Sequence, residues 1–282
     1  MPRPVSIATT SLLLRDVATY EENMEAALSL ARQALECKPD IVLLPELFAV
    51  INLSPAEAVQ YAETVPGGVT RPFQALAQEA GCYFIVPLLE HDRTVLRNSA
   101  AIIGRGGEIV GRYHKTHLAP GEAEAYHVVP GDDYPVFECD FGKIGVMICM
   151  DIHYPEVARI MALGGAEIIF WPTMAYGPTG HFLETQFRCR AMDNQVYVVA
   201  SNYMRSAGPD AKFFLGRACI VGPDGDIRAD TGNQPGVAVT TVDLDERMPS
   251  FWGPDHPAWK HIFLSCRRPE TYAPLLSGWI GM

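Results

Sequence analysis

The sequence lacks the features that mark several large classes of protein. Its 22 basic residues form no cluster and are outnumbered by 33 acidic ones, giving a formal net charge of -11. A chain of this charge repels nucleic acid and anionic membranes, so we expect neither as a partner. No apolar run approaches the roughly 18 residues needed to cross a bilayer, and the N-terminus has no secretory pattern. We therefore expect a cytoplasmic protein.

Closely spaced cysteines and domain linkers are also lacking. The seven cysteines are odd in number and show no Cys-x-x-Cys spacing, which is not typical of a disulfide framework. No Gly/Ser-rich linker, internal repeat or low-complexity segment divides the 282 residues, and the 48% hydrophobic content is ample for a large core. We predict one domain over residues 1–282 with reduced thiols.

Strand-like and helix-like segments alternate along this chain. Apolar strands are predicted at "VSIATTSLLL" and "AEIIFWP", and an amphipathic helix at "YEENMEAALSLARQALE". Hairpin turns are expected at Arg105-Gly106-Gly107 and at Pro223-Asp224-Gly225. Mixed order with continuous apolar strands predicts a layered α/β fold, in which helices cover two sheets that pack together.

The C-terminal segment, residues 247–282, breaks the alternation. It is rich in Pro and Trp and has no helical or strand period. Because it is too apolar to extend into water, we expect an arm that packs on the body of the domain or on a partner subunit.

A thiol lies where a buried strand ends. The apolar run from Ile144 to Ile148 stops at Cys149, and a turn and a helix are predicted to follow. The unpaired N–H groups at a helix start favour a thiolate and can bind an oxyanion, which suits a nucleophile. The competing interpretation is a core cysteine that packs as a small hydrophobe.

Three charged residues accompany other predicted strand ends or loops. Glu46 directly follows "DIVLLP", Lys115 ends a hairpin strand, and Glu124 lies in an acidic loop. Singly, each is compatible with a solvated surface residue. Strand ends of α/β folds commonly meet in one ligand pocket, so we predict that the thiol, the amine and a carboxylate base converge there.

Three segments together resemble the signature segments of the nitrilase superfamily of carbon–nitrogen hydrolases. They are "LLPELF" around Glu46, "YHKTHL" around Lys115 and "GVMICMDIHYPE" around Cys149. Their order and spacing fit, and the resemblance continues to about Asp245. It implies a four-layer α-β-β-α sandwich that associates into a homodimer or higher homo-oligomer.

The resemblance also implies a mechanism that needs no metal or organic cofactor. Cys149 attacks an amide carbonyl, Lys115 lowers the pKa of its thiol, and Glu46 moves the proton. Lys115 and the backbone N–H of Met150 hold the oxyanion. The second glutamate of the family lies six residues before a Pro-Gly; Glu124 matches this spacing to Pro130-Gly131, Glu122 does not, and Glu124 is expected to orient Lys115 or hold the substrate nitrogen.

The residues around the nucleophile bear on the substrate, which we expect to be a small amide or carbamoyl compound. Within the family, Cys149-Met150-Asp151 resembles the amidases and carbamoylases more than the true nitrilases. D-carbamoylases carry arginines where Ile152 and His153 stand, and such arginines would clamp a carboxylate. Neutral or cationic amides, ω-amides and carbamoylated amines therefore stay open. Three further residues are expected to form the pocket wall: Trp171, Thr173 and Met174.

Other functions remain open on the sequence alone. The same residues could hydrolyse a nitrile to a carboxylic acid, or the scaffold could serve a non-catalytic thiol redox or interaction protein. A zinc hydrolase using His114, His117, His127 and Cys149 is a weaker alternative, because His-x-x-His outside a helix is a poor metal signal.

Overall fold

The computed structural model describes residues 2–14, 19–175, 180–205, 216–246, 248–249, 252–253 and 255–276. Within these ranges the strands are β1 (Pro4–Leu14), β2 (Ile41–Leu43), β3 (Tyr83–Asp92), β4 (Val95–Ile103), β5 (Ile109–His114), β6 (Phe137–Cys139), β7 (Gly142–Val146), β8 (Ile168–Pro172), β9 (Tyr197–Arg205), β10 (Cys219–Val221), β11 (Ile227–Asp230) and β12 (Gly236–Asp243). The α-helices are α1 (Tyr20–Leu35), α2 (Pro55–Ala58), α3 (Thr70–Ala80), α4 (Glu122–Tyr126), α5 (Pro155–Leu163), α6 (Gly180–Asn194) and α7 (Trp259–Ser265).

The strands form two sheet layers, which are joined at one place by pairing between β1 and β9. One layer has the order β5-β4-β3-β2-β1-β12, and the other has the order β6-β7-β8-β9-β10-β11. Parallel pairing of the last residues of β1 with the last residues of β9, from Ser11↔Asn202 to Leu14↔Arg205, joins them. The central strands β2, β1, β9 and β8 run parallel to one another, and their carboxyl ends lie together. The other neighbours of β1 and β9, which are β12 and β10, are antiparallel to them.

Alternation along β2 shows how the layers are built. Ile41 and Leu43 belong to the core cluster shared with β7, β8 and β9, whereas Val42 and Leu44 belong to the cluster formed with α1 and α3. Successive strand residues point to opposite faces, so β2 is buried on both sides. Helices α5 and α6 cover the outer face of the other sheet. The predicted α-β-β-α sandwich is confirmed.

Local signals place several of these elements. Thr19 and Glu22 form a capping box at the start of α1. The two predicted hairpin turns are present, and Gly107 and Gly225 take the left-handed backbone, φ 84° and 83°, that a side chain would strain. The first hairpin pairs β5 with β4 and places Lys115 just after the end of β5, and the second hairpin pairs β11 with β10.

The C-terminal arm lies partly on the domain's own helices. Helix α7 contacts α6, Leu264 packs against the main core cluster, and the rings of Trp259 and Phe263 stack on each other at 5.1 Å. Leu276 nevertheless stays 91% exposed. Residues 277–282 of the predicted arm, with 247, 250, 251 and 254, lie outside the described residues, and packing on a partner subunit stays a prediction. In the described part of the chain, no helix is both long and apolar enough to cross a bilayer.

Candidate active site

Glu46 lies just beyond the carboxyl end of β2 and is buried. Leu47 follows it with a left-handed backbone, φ 51°, and starts the short 3-10 helix Phe48–Val50. The Tyr203 hydroxyl donates to the Glu46 carbonyl at 2.6 Å and fixes this turn to β9. The carboxylate, in a residue only 4% exposed, therefore points into the protein rather than into solvent.

Three donors hold the Glu46 carboxylate. Its Oε1 accepts from Lys115 Nζ at 2.9 Å and from Asn98 Nδ2 at 2.8 Å, and its Oε2 accepts from the Met174 backbone N–H at 2.9 Å. Oε1 thus has two donors and Oε2 has one, and a carboxylate oxygen can accept about two. Counting the donors within the described ranges leaves the remaining lone pair of Glu46 on Oε2.

Lys115 follows the last residue of β5 and is 2% exposed. Besides Glu46, its Nζ donates to Glu122 Oε2 at 2.7 Å. Burial opposes the charged ammonium, but the negative charges of Glu46 and Glu122 outweigh it and hold the pKa of Lys115 above its ordinary value. Lys115 is a protonated ammonium over the whole neutral range.

The glutamate beside Lys115 is Glu122, and the prediction of Glu124 for this position is wrong. Glu122 is the first residue of α4, is buried, and also accepts from the Ala119 backbone N–H at 2.8 Å. Glu124 is exposed. Two residues along a helix rotate a side chain by about 200°, so only one of the pair can face the lysine. Counting back from Pro130-Gly131 could not reveal this, because the count does not include the rotation of side chains along α4.

Asn98 is a site residue that the sequence analysis missed. It lies in β4 beside the end of β5, where the Lys115 backbone N–H donates to its carbonyl at 2.9 Å. Its side chain is 1% exposed, and Nδ2 donates at 2.8 Å both to Glu46 Oε1 and to Glu122 Oε1. The available signal was an amide next to an apolar strand run in "RNSAAII", since buried amides require partners.

Cys149 lies in a tight turn three residues after β7. Its φ is 46°, a left-handed value that is uncommon for a residue with a side chain and that clusters at functional sites. The 3-10 helix Cys149–His153 begins there and leads into α5. Trp171 Nε1 donates to the Cys149 carbonyl at 2.9 Å and holds this turn against β8. The predicted placement of the thiol between a strand and a helical segment is confirmed.

Asp151 ties the Cys149 turn to the Lys115 segment. Its fully buried carboxylate accepts from the Ile148 N–H at 2.8 Å and the Tyr113 hydroxyl at 2.8 Å through Oδ2. Through Oδ1 it accepts from the Thr116 hydroxyl and the His117 N–H, both at 2.9 Å. Because these donors flank Cys149 and Lys115, Asp151 sets how the two segments lie relative to each other.

The surroundings of the Cys149 sulfur favour the thiol over the expected thiolate. Burial and the neighbouring Glu46 raise its pKa to about 12, although Lys115 and the Thr173 hydroxyl lower it. The expected thiolate at neutral pH stays a prediction, and this raised pKa opposes it. Desolvation of the anion exceeds the stabilisation by one ammonium that is already shared between two glutamates.

The predicted pocket residues occupy distinct places around this cluster. Trp171 and Thr173 are buried, and the Thr173 hydroxyl makes no hydrogen bond of ordinary geometry in the described part of the chain, although it lies close enough to the sulfur to lower its pKa. Met150 and Met174 are half-buried. Trp171 and Met174 support Cys149 and Glu46 through the contacts above, and contact with a substrate stays a prediction for all four.

The two positions that carry arginine in the D-carbamoylases differ here in exposure. Ile152 is fully buried in the core and carries no charge. His153 is partly exposed, and burial together with the nearby Arg190 lowers its pKa, although Gln186 opposes this. Neither position provides a fixed positive charge at neutral pH.

The histidines of the zinc alternative serve other partners. His114 Nε2 lies 3.1 Å from the Glu90 carboxylate, and His117 Nδ1 lies 2.9 Å from Asp151. His127 is exposed. Over the described ranges, no three His, Cys, Asp or Glu side chains are grouped as a metal site would require.

Two curated relatives are similar to this chain over most of its length. The chain is 34% identical over 285 residues to an N-carbamoylputrescine amidase of Arabidopsis thaliana, covering 93% of this chain and 91% of that protein. It is 33% identical over 240 residues to an omega-amidase NIT2 of Xenopus tropicalis, covering 79% and 84%.

A solved structure shares the fold. It is a glutamate-to-glutamine mutant of the amidase from Nesterenkonia sp. AN1, with the acetamide moiety of fluoroacetamide added covalently at its active-site cysteine. It is 21% identical, covers 96% of each chain and has a TM-score of 0.78. The family model described as carbon-nitrogen hydrolase matches residues 9–248. The chain therefore belongs to the carbon–nitrogen hydrolase family of the nitrilase superfamily.

Proposed function

We propose that this protein hydrolyses the C–N bond of a small linear amide, ω-amide or N-carbamoyl amine through a thioester on Cys149. One observation carries the proposal. A thiol, an ammonium and a carboxylate from three distant segments meet in one buried cluster, with Lys115 Nζ 2.9 Å from Glu46 Oε1 and both charges acting on the Cys149 sulfur. Burying a charge is costly unless it is paired, and a cluster of charges held in this way is a candidate functional site.

Glu46 acts as the general base for the first step. Because Cys149 is a thiol, its proton leaves as sulfur attacks the carbonyl carbon, and Glu46 Oε2 has the free lone pair to accept it. The carbonyl oxygen becomes an oxyanion beside Lys115 and the Met150 N–H. Losing one such donor typically costs about 2.7 to 4 kcal/mol in barrier height.

The same carboxyl group completes the turnover. Protonated Glu46 gives its proton to the departing nitrogen as the C–N bond breaks, and ammonia or an amine leaves a thioester. Glu46, again a carboxylate, takes a proton from water while the hydroxide oxygen attacks the thioester carbon. Collapse of that intermediate releases the acid and returns the proton to sulfur. Lys115 keeps its charge throughout, since Glu46 and Glu122 both stabilise the ammonium.

The substrate class follows from the site and from the named relatives. The N-carbamoylputrescine amidase and the omega-amidase support a carbamoyl amine or an ω-amide. The buried Ile152 and the neutral His153 provide no guanidinium to clamp a carboxylate next to the scissile bond. We infer a neutral or cationic amide in preference to an N-carbamoyl-D-amino acid.

We also infer a homodimer or higher homo-oligomer as the working form. The outer helices leave large apolar side chains in water, including Ile160 and Leu163 of α5 and Phe182 of α6. Apolar surface of this kind on adjacent helices is typical of a subunit interface. Light scattering behind size-exclusion chromatography should give at least twice the monomer mass of 31.0 kDa, and a monomer at micromolar concentration would contradict this.

The decisive experiment is an ammonia-release screen over simple amides, ω-amides, carbamoyl amines and nitriles. We expect turnover of at least one amide class, loss of all turnover in Cys149→Ala with unchanged circular dichroism, and a thioester adduct on Cys149 by intact mass with a slow substrate. Activity retained in Cys149→Ala refutes the proposal. Turnover of nitriles alone would show that the reaction class is nitrile hydrolysis by the same residues.

A further inference from the structure

Asn98 connects the two buried carboxylates of the site through a single amide group. Both N–H bonds of its Nδ2 are used, one to Glu46 Oε1 and one to Glu122 Oε1, each at 2.8 Å. The amide orientation follows from chemistry, since the reverse orientation would place Oδ1 against two carboxylates. Its Oδ1 is buried and accepts no hydrogen bond within the described ranges. A buried oxygen that accepts no hydrogen bond costs stability. We therefore attribute the role of this side chain to the two hydrogen bonds that its Nδ2 donates.

The charges around Asn98 explain what the two donors do. Glu46 and Glu122 share one ammonium, Lys115, so the trio has an excess of one negative charge. Like charges in one buried site favour protonation of a carboxyl group. A neutral donor to both carboxylates opposes this without adding a charge. Glu46 must start as a carboxylate to take the thiol proton.

The hydrogen bonds also select one oxygen of Glu46. Lys115 and Asn98 together fill Oε1, whereas the backbone donor to Oε2 within the described ranges is the Met174 N–H. Without Asn98, a lone pair would open on Oε1 and compete for the proton. That oxygen is held beside the lysine, where a proton is electrostatically disfavoured and cannot be delivered to a substrate nitrogen.

We propose that Asn98 is a positioning residue that holds the Glu46 carboxylate in place and directs the transferred proton to Oε2. This deepens the proposed function and rests on it. Asn98 acts through Glu46, so its removal should lower kcat and leave KM nearly unchanged.

The pH dependence separates this role from a merely structural one. Removing donors to a carboxylate favours its protonated form, so the acid limb of the kcat/KM profile should move to higher pH. The titratable groups that face Glu46 and Asn98 from the surrounding elements are Lys115, Glu122, Cys149, Tyr126 and Tyr203. Lys115, Cys149 and both tyrosines have pKa values above the neutral range, so none of these four produces an acid limb.

The test compares Asn98→Leu, which keeps the volume and removes both donors, with the isosteric Asn98→Asp. Each should lose about 10- to 100-fold in kcat/KM, as expected for lost hydrogen bonds to a charged group, and shift the acid limb upward by about one pH unit. Ser99→Ala is the matched control, because the next residue of β4 points to the opposite face. It should leave both profiles unchanged. Thermal unfolding establishes that each variant is folded.

A second measurement is independent of amide turnover. The rate of Cys149 alkylation by iodoacetamide, followed against pH, reports proton removal by Glu46, and its acid limb should shift upward in both Asn98 variants. Folded Asn98 variants with unshifted pH profiles would overturn the inference. A kcat/KM in Asn98→Leu equal to that of the unaltered enzyme would also overturn it. If the unaltered enzyme hydrolyses no amide but the alkylation profile shifts in the Asn98 variants, the proposed function is refuted. The positioning role of Asn98 is then still supported.

Discussion

The structure assigns the glutamate beside Lys115, and replacing Glu122 or Glu124 by Gln tests that assignment. Glu122 accepts from Lys115 Nζ and the Ala119 N–H at Oε2, and from Asn98 at Oε1. A glutamine has one acceptor oxygen. If that oxygen faces Lys115, its amide N–H groups face the donor of Asn98, and the reverse orientation leaves Lys115 facing a donor.

The magnitude follows from this count. At least one hydrogen bond to a charged group is lost in Glu122→Gln, which costs about 1.5 to 3 kcal/mol. A loss near the middle of that range corresponds to about a 30-fold lower kcat/KM. The buried ammonium also loses a counter-charge, so the free energy of unfolding should fall by about 1 to 3 kcal/mol. Glu124 is exposed, and its replacement should change stability by less than about 0.5 kcal/mol.

The assay is steady-state hydrolysis of the best amide from the screen, combined with urea unfolding of both variants. We expect a large loss in Glu122→Gln and rates within about twofold of the unaltered enzyme in Glu124→Gln, because a solvated side chain contributes little. The opposite ranking, with Glu124→Gln impaired and Glu122→Gln normal, refutes the assignment and restores the spacing argument from the sequence.

Two further predictions concern the nucleophile turn. Asp151→Asn should lower the free energy of unfolding by about 2 to 4 kcal/mol in urea titrations, because an amide leaves buried donors such as the Tyr113 hydroxyl unpaired; unchanged stability contradicts that anchoring role. Absorbance at 240 nm, compared between the unaltered protein and Cys149→Ser, should show no thiolate from this residue at pH 8, since its pKa is raised from 9.0 to about 12. A thiolate signal at neutral pH would contradict the burial argument. Because the folded-state pKa is raised, the contribution of Cys149 to the free energy of unfolding is fully present below pH 9 and is lost as the pH rises towards 12.

Several features of this protein could be predicted from local pattern. The spacing of apolar residues along the sequence predicts the wholly apolar β8 and the amphipathic α1. The turn glycines Gly107 and Gly225 mark the two hairpins. Cys149 stands out because a buried strand ends beside it. These signals are local, since period, turn chemistry and strand ends depend on residues within a few positions of each other.

The partners of the charged groups could not be predicted in this way. Glu122 and Glu124 are equivalent as letters, and only the rotation of α4 and its position over β4 decide which of them reaches Lys115. Asn98 lies 52 positions from Glu46 along the chain, and pairing within one sheet brings them together.

The sequence by itself determined the layered α/β class, the strand ends that carry Glu46, Lys115 and Cys149, and membership of the family through its motifs. Tertiary structure alone decided that Asn98 and Glu122 join them and that burial raises the pKa of the Cys149 thiol. The physical reason is that hydrogen-bond partnership and the desolvation of a charge depend on everything packed around a group. Those neighbours come from segments that the chain separates and folding brings into contact.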